Sequence, residues 1–209
     1  NVHDSIVYLE RLDRQRERFD LAVGAVGLDA GYATAGIAKG LEERQILGVT
    51  GYRNPTPPRD GMTRKSKFVY EPEADGYRCP EGQLLAYATT DRNGYKHYRS
   101  DPALCRDCSL LASCTTNAKA ERTITRHVWQ DARERTDSHR KTPWGKAIYR
   151  RRKETVERSF ADAKQLHGHR YARFRGLTKV KWQCLLAAAA QNIKKIAMIL
   201  TKTPKTAWG

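Results

Sequence analysis

Residues 21–51 read LAVGAVGLDAGYATAGIAKGLEERQILGVTG, and the order of signals along them decides the fold class. Leu21 to Leu28 is a short apolar stretch that reads as a buried strand, and it ends on Asp29-Ala30-Gly31, which puts an acid at the strand's carboxyl end. Thr34 then caps a helix running to about Arg44, and Ile46 to Gly51 reads as a second strand before Asn54-Pro55-Thr56-Pro57-Pro58 breaks the pattern. Upstream, Asp4 is expected to cap a helix carrying Ile6, Val7, Leu9, Leu12 and Phe19, with Glu10 and Arg14 paired four apart on its outer side. The order helix, strand, helix, strand predicts a parallel, right-handed α/β unit. Sites in such sheets gather at the carboxyl ends of the strands, which makes Asp29 the first candidate site residue.

Further along, from about Lys65 to Thr116, the signals change. Short β-like stretches at Lys67 to Tyr70, Leu84 to Thr89 and Tyr95 to Arg99 surround turn residues, including the hairpin signal Asn93-Gly94, and together they predict a small β-rich insert. Cys79, Cys105, Cys108 and Cys114 fall inside it with the spacing C-x25-C-x2-C-x5-C. Four soft ligands can close a tetrahedral Zn²⁺ site, which would stabilise an insert with too little core of its own; the alternatives are four ordinary thiols and, least favoured, disulfides. His97 is a possible substitute ligand, and Cys184, among Leu185, Leu186 and Ala187, reads as core packing.

Helical signals return at Pro143, with Thr142 as the cap. One helical stretch runs to about His167 and stops at Gly168, a second runs from Thr178 to about Leu200, and Thr201 to Gly209 is expected to be a mobile tail. The chain has no internal repeat.

Charge separates scaffold from binding surface. Lys and Arg number 39 against 23 Asp and Glu in 209 residues, a net of +16, which points to a polyanionic partner and away from an ordinary metabolic enzyme. The excess is concentrated: residues 1–30 carry four Lys/Arg and six Asp/Glu, whereas residues 140–182 carry fourteen and three. Nucleic acid is expected to meet this last third, although such runs also occur as solvated helix faces. The longest apolar run, Cys184 to Ala190, is far short of the roughly 20 residues a bilayer requires, so no membrane span is expected. Without a leader signal either, the reading is a cytoplasmic, nucleoid-associated protein whose cysteines are not in disulfides.

The segment from Tyr149 to Lys164 reads YRRRKETVERSFADAK. At the helical period, residues seven apart return to within about 20° of one another, so Arg150, Glu157 and Lys164 are predicted on one face, with Val156 and Phe160 on an adjoining apolar one. This is either a row of surface ion pairs or a carboxylate that holds a divalent metal among phosphate-binding cations, with Asp29 as the second carboxylate. Arg150, Arg151, Arg152 and Lys153 are predicted phosphate contacts. Arg170, Tyr171, Arg173, Phe174 and Arg175 alternate cations with aromatics, which suits phosphate contact with base or sugar packing, or else a basic loop with its rings in the core.

Four pieces, NVHDS at 1–5, GLDAGYATAGIAKGLEER at 27–44, TTDRNGYKHYRSDPALCRDCSLLASC at 89–114 and YRRRKETVERSFADAKQLHGHRYARFRGL at 149–177, resemble the C-terminal catalytic portion of bacterial insertion-sequence transposases of the DDE superfamily. The resemblance runs over nearly the whole chain. It implies an RNase H-like core, which the residues divide into an α/β half at 1–60, the β-rich, cysteine-containing insert at 61–120, a helical part with a basic DNA-binding surface at 121–200 and the tail at 201–209. The family motif is a Tyr, two residues, an Arg, three residues, the catalytic Glu, six residues and a Lys. Glu157 and Lys164 have the stated separation, with Glu154 as the rival acid. Tyr149 and Arg152 are two residues apart as the motif has them, but four residues separate Arg152 from Glu157, so either Lys153 takes the Arg position or the register differs by one. The implied chemistry is strand cleavage and transfer with two Mg²⁺ ions, or Mn²⁺ in their place, held by Asp29 and Glu157, on double-stranded DNA and by a homodimer. The first Asp of the triad belongs on an earlier strand, so the chain is expected to be a piece of a longer protein and inactive in strand transfer by itself. A nuclease on the same fold and a non-catalytic zinc and arginine DNA-binding remnant are the alternatives.

Overall fold

In a computed structural model, which describes residues 3–52, 54–56 and 61–202, the parallel strand pair expected around Asp29 is present. Strand β1 (Ala25–Leu28) pairs with β2 (Leu47–Thr50), Ala25 opposite Leu47 and Leu28 opposite Thr50. Between them runs α2 (Ala35–Glu43), started by the Thr34 hydroxyl, which accepts the Ile37 N–H at 3.3 Å. Helix α1 (Asp4–Phe19) packs on α2, and Leu12, Leu28, Ile37, Leu41 and Ile46 form the shared core. A bidentate pair joins the end of α2 to the middle of α1: Arg44 donates to Asp13 at 2.7 and 2.5 Å. Glu10 and Arg14 pair at 2.5 Å, as their spacing predicts.

Two details at the start of the chain differ from expectation. The cap of α1 is His3, whose ring nitrogen Nδ1 accepts the Ser5 N–H at 3.2 Å. Asp4 is instead the first helical residue, where its charge suits the helix dipole. The strand begins at Ala25, and Leu21 is exposed.

Helix α5 (Gln130–His139), which no sequence signal announced, packs against α2 and β2. It buries only Ala132 and Thr136, so it has no apolar stripe to read. Gly48 lets α2 lie close on β2, since an added Cβ there would come within 2.8 Å of Leu41 Cδ1.

The β-rich part is a five-stranded antiparallel sheet in chain order: β3 (Val69–Glu71), β4 (Gly76–Arg78), β5 (Leu84–Thr90), β6 (Tyr95–Arg99) and β7 (Thr123–His127). Gly94 turns the β5–β6 hairpin with φ +78°, and the Asp91 carboxylate accepts the N–H groups of Asn93 and Tyr95, each at 2.9 Å. The last strand lies past residue 120, where the sequence reading ends the insert. Phe68, Tyr77, Leu85, Tyr98 and Ile124 form the core of this sheet. Two short helices between β6 and β7, α3 (Pro102–Cys105) and α4 (Leu111–Cys114), carry three of the cysteines or lead directly into them.

The chain divides into two units, residues 1–145 and 146–209. Helix α6 (Pro143–Arg152) begins in the first, where the Thr142 hydroxyl accepts the Gly145 N–H at 3.1 Å. In the second unit α6 runs into a π-helical turn, Lys153–Glu157, and then into α7 (Arg158–Leu166), which Gly168 ends with φ +64°. The last helix is α8 (Leu177–Lys202). Gln191 and Lys195 of α8 donate to the carbonyl and hydroxyl of Ser159 at 2.6 and 3.1 Å, and Ala163 and Ala187 are buried.

Most of α8 is exposed, including Cys184, which corrects its reading as core. By length and composition Leu177–Thr201 is apolar enough to cross a membrane. The longest unbroken apolar run misses this, because the apolar positions are spread along the helix around Lys194 and Lys195; core helices of soluble proteins satisfy the same criterion. Pro57 and Pro58 of the expected break, and the tail from residue 203, lie outside the described residues.

Candidate functional site

Asp29 follows the last residue of β1 and starts a single 3₁₀ turn, Ala30–Tyr32, by accepting the Gly31 N–H at 2.9 Å. Gly51 donates to the Leu28 carbonyl at 2.9 Å, so the carboxyl ends of β1 and β2 lie side by side where the half-buried acid emerges. Tyr32 of the same turn stands edge-on to Tyr8 with ring centroids 5.2 Å apart. Burial, helped by the neighbouring Tyr32, pushes the Tyr8 hydroxyl up to about 12.

In the second unit, Glu157, Phe160, Ala161, Lys164, Gln165 and Arg170 line an open cleft of about 390 Å³. The two motif residues and one predicted phosphate contact therefore share a site on this unit. Arg150 is not in the cleft. The π turn adds one residue to the helical turn before Glu157, and the constant 100° step used to place Arg150 on that face does not hold across it. The residue that reaches Glu157 is Arg152: its Nη1 donates to Oε1 at 2.6 Å, its guanidinium lies 5.9 Å from the Tyr149 ring centroid, and its side chain is only 17% exposed.

The other predicted DNA contacts, Arg150, Arg151, Lys153, Arg170, Arg173 and Arg175, are exposed. Tyr171 and Phe174 are exposed as well, at 74% and 52%, so the rings of this loop are not in the core. The loop is held by Gln183 of α8, a residue that the sequence reading passed over. Its amide nitrogen donates to the carbonyls of Tyr171 at 2.8 Å and Gly168 at 3.3 Å, and its oxygen accepts the Arg173 N–H at 2.9 Å. The available signal was one bifunctional amide between Trp182 and Cys184, which by itself named no partner. A second cleft, of about 510 Å³, runs between the π turn with α7 and α8, lined by Val156, Phe160, Cys184 and Lys195 among others.

In the first unit all four clustered cysteines are half-buried free thiols lining one enclosed cavity of about 30 Å³, together with Phe68, Leu85, Leu104 and Arg122. Gln83 donates its N–H to the Cys79 sulfur at 3.3 Å, and Cys108 N–H reaches the Cys105 carbonyl at 3.2 Å. Burial pushes the Cys114 thiol up; Arg122 opposes this, and the neighbouring Cys105, Cys79 and Cys108 add to it. His97 is elsewhere, 3.3 Å from Asp91 at the hairpin. Among the described residues, no three His, Cys, Asp or Glu side chains are grouped as a metal site.

A family model described as a transposase DDE domain matches residues 78–197. The matched stretch takes in the four cysteines, the π turn, Glu157, Lys164 and the basic loop, and it leaves Asp29 outside, a narrower span than the near-complete coverage expected. No curated protein and no solved structure matches the chain.

Proposed function

The chain belongs to the transposase DDE domain family, and from that premise we propose that it carries the strand-cleaving and strand-joining centre of a DNA transposase, with Asp29 and Glu157 as the carboxylates that hold divalent cations. The family's substrate is DNA, and the net charge of +16 agrees with a polyanion. The observation that carries the reading is the cleft in which Glu157 stands with Lys164 and Arg170, an acid between cations able to hold a phosphate. Asp29, at the carboxyl end of a parallel strand, is where an open α/β sheet offers a ligand. We assign these elements to an RNase H-like core.

Hard carboxylate oxygens suit Mg²⁺ or Mn²⁺, so the chemistry of these two donors fits the ions the family uses. Bound there, the ions would lower the pKa of the attacking water or 3′-hydroxyl and stabilise the entering and leaving oxygens of an in-line displacement. The chain's own cations then have separate tasks. Lys164 and Arg170 hold the phosphate at the cleft, while Arg150, Arg151, Lys153, Arg173 and Arg175 bind the duplex through its backbone without reading sequence. Tyr171 and Phe174 are placed to pack on sugar or base. Two copies acting on paired DNA ends complete the reading.

The full-length protein, given Mg²⁺ and a duplex ending in the element's own terminus, is expected to cut the strand and join the freed 3′ end to a second DNA. Cutting without joining would make it a nuclease. DNA binding with neither reaction would leave only a binding module.

We also infer that Cys79, Cys105, Cys108 and Cys114 hold one structural Zn²⁺, because all four thiols line a single cavity and Cys79 already accepts a backbone N–H. Held by these four thiolates, a zinc ion would tie the helical connection between β6 and β7 to the end of β4. Protein produced in zinc-supplemented medium and then unfolded in a metallochromic dye should release one zinc per chain, and Cys105→Ser should release less than half as much. Zinc-free, fully folded protein would refute this assignment.

A further inference from the structure

We propose that the π turn Lys153–Glu157 serves to keep Arg152 on Glu157, so that Arg152 is a positioning residue for that carboxylate and not a DNA contact. In an α-helix, neighbours on one face are three or four residues apart, and a residue five along points about 140° away. Arg152 and Glu157 are five apart and nevertheless bonded at 2.6 Å. A π turn closes its hydrogen bonds over five residues, which brings residues i and i+5 one above the other. Here the Arg158 N–H reaches back five residues to the Lys153 carbonyl. The Thr155 hydroxyl donates to the Arg151 carbonyl at 2.9 Å, giving that acceptor a partner where the ladder changes step.

The packing around the pair agrees. Tyr149 and Arg152 are neighbours at helical spacing, with the guanidinium over the ring. Arg152 is 17% exposed, although a phosphate contact needs an open guanidinium, and Arg150, Arg151 and Lys153 on either side are exposed. The extra residue between Arg and Glu, which departs from the spacing of the motif, is the one that the π turn takes up. From Glu157, the last residue of the turn, regular helix runs on through Lys164, and the two residues, seven apart, share their cleft.

This inference rests on Glu157 as the metal-holding acid, and the experiment separates the two. Deleting Thr155 turns the π turn into ordinary α-helix and leaves Arg152 four residues from the acid, so in the full-length protein cleavage should stay within about threefold of wild type. In an ordinary helix the same deletion would rotate everything beyond it by about 100°. Arg152→Ala should lower kcat about tenfold with KM for DNA unchanged, and Arg152→Lys should recover part of it. The slope of log affinity against log salt should be unchanged by Arg152→Ala, whereas Arg150→Ala should reduce it by about 0.9, the value for one phosphate contact. A folded Thr155 deletion as inactive as Glu157→Gln, or an Arg152→Ala slope that falls like that of Arg150→Ala, overturns the proposal. A fully active Glu157→Gln removes the acid's role, and the salt slopes still decide whether Arg152 serves the protein or the DNA.

Discussion

Asp29→Asn in the full-length protein should lower Mg²⁺-dependent strand cleavage by about a thousandfold. A metal-held carboxylate organises several kcal/mol of transition-state charge stabilisation, and each 1.36 kcal/mol is a factor of ten in rate. Asn is the informative substitution because Ala would remove the proposed metal-holding charge and the turn together. Asp29 Oδ1 accepts the Gly31 N–H and starts the 3₁₀ turn, and Asn caps as well as Asp does. What Asn loses is the charge and a hard anionic oxygen. Asp29→Ala should therefore cost the same activity and, in addition, about 1 kcal/mol of stability, which a thermal melt would show as a fall that Asp29→Asn does not share. Single-turnover cleavage at saturating Mg²⁺ is the measurement. If Asp29→Asn cleaves within tenfold of wild type, Asp29 is a turn-former only, and the catalytic carboxylates lie elsewhere.

The parts of the chain that could be read from the letters are those where one local signal fixes one structure. Thr34 before an apolar period gave α2, the acid after Leu28 gave the end of β1, and Asn93-Gly94 gave the β5–β6 hairpin. Strand β4 is three residues long and helix α5 buries only Ala132 and Thr136. Neither carries a period, so only tertiary packing defines them. The site was legible in the same uneven way. Glu157 closes the π turn and regular helix runs from it through Lys164, so the seven-residue spacing holds between them and both line one cleft. Arg150 was misplaced because the step per residue changes within Lys153–Glu157. Across the same turn Arg152 and Glu157, five residues apart, form an ion pair. The four cysteines line one cavity, and nothing in their spacing showed that it adjoins the core that holds Tyr98 and Leu85.

That core gives the largest expected effect on stability. Tyr98 is fully buried, edge-on to Tyr77 at 5.2 Å and in ring contact with Tyr70 and Tyr87 at 6.1 Å. Tyr98→Ala empties the centre of the sheet and should cost about 3–5 kcal/mol, a fall in melting temperature of about 10 °C. Its hydroxyl has a separate effect. Asp75, in a left-handed turn with φ +39°, accepts from Tyr98 at 2.7 Å, from Tyr70 at 2.8 Å and from Lys96 at 3.0 Å. The Tyr98 hydroxyl above all, with Lys96 and Tyr70, holds the Asp75 carboxyl below the usual carboxylate range. Because the folded state then takes up this proton less readily than the unfolded chain, the contribution is complete above about pH 4, the unfolded value, and is lost as pH falls through the lowered one. Tyr98→Phe keeps the ring and removes only the hydroxyl, so it should cost about 1–2 kcal/mol at pH 7, and guanidinium unfolding should show a smaller difference from wild type at pH 3. A difference that is the same at both pH values would mean that the hydroxyl acts by packing alone and that the charge on Asp75 adds nothing to the sheet.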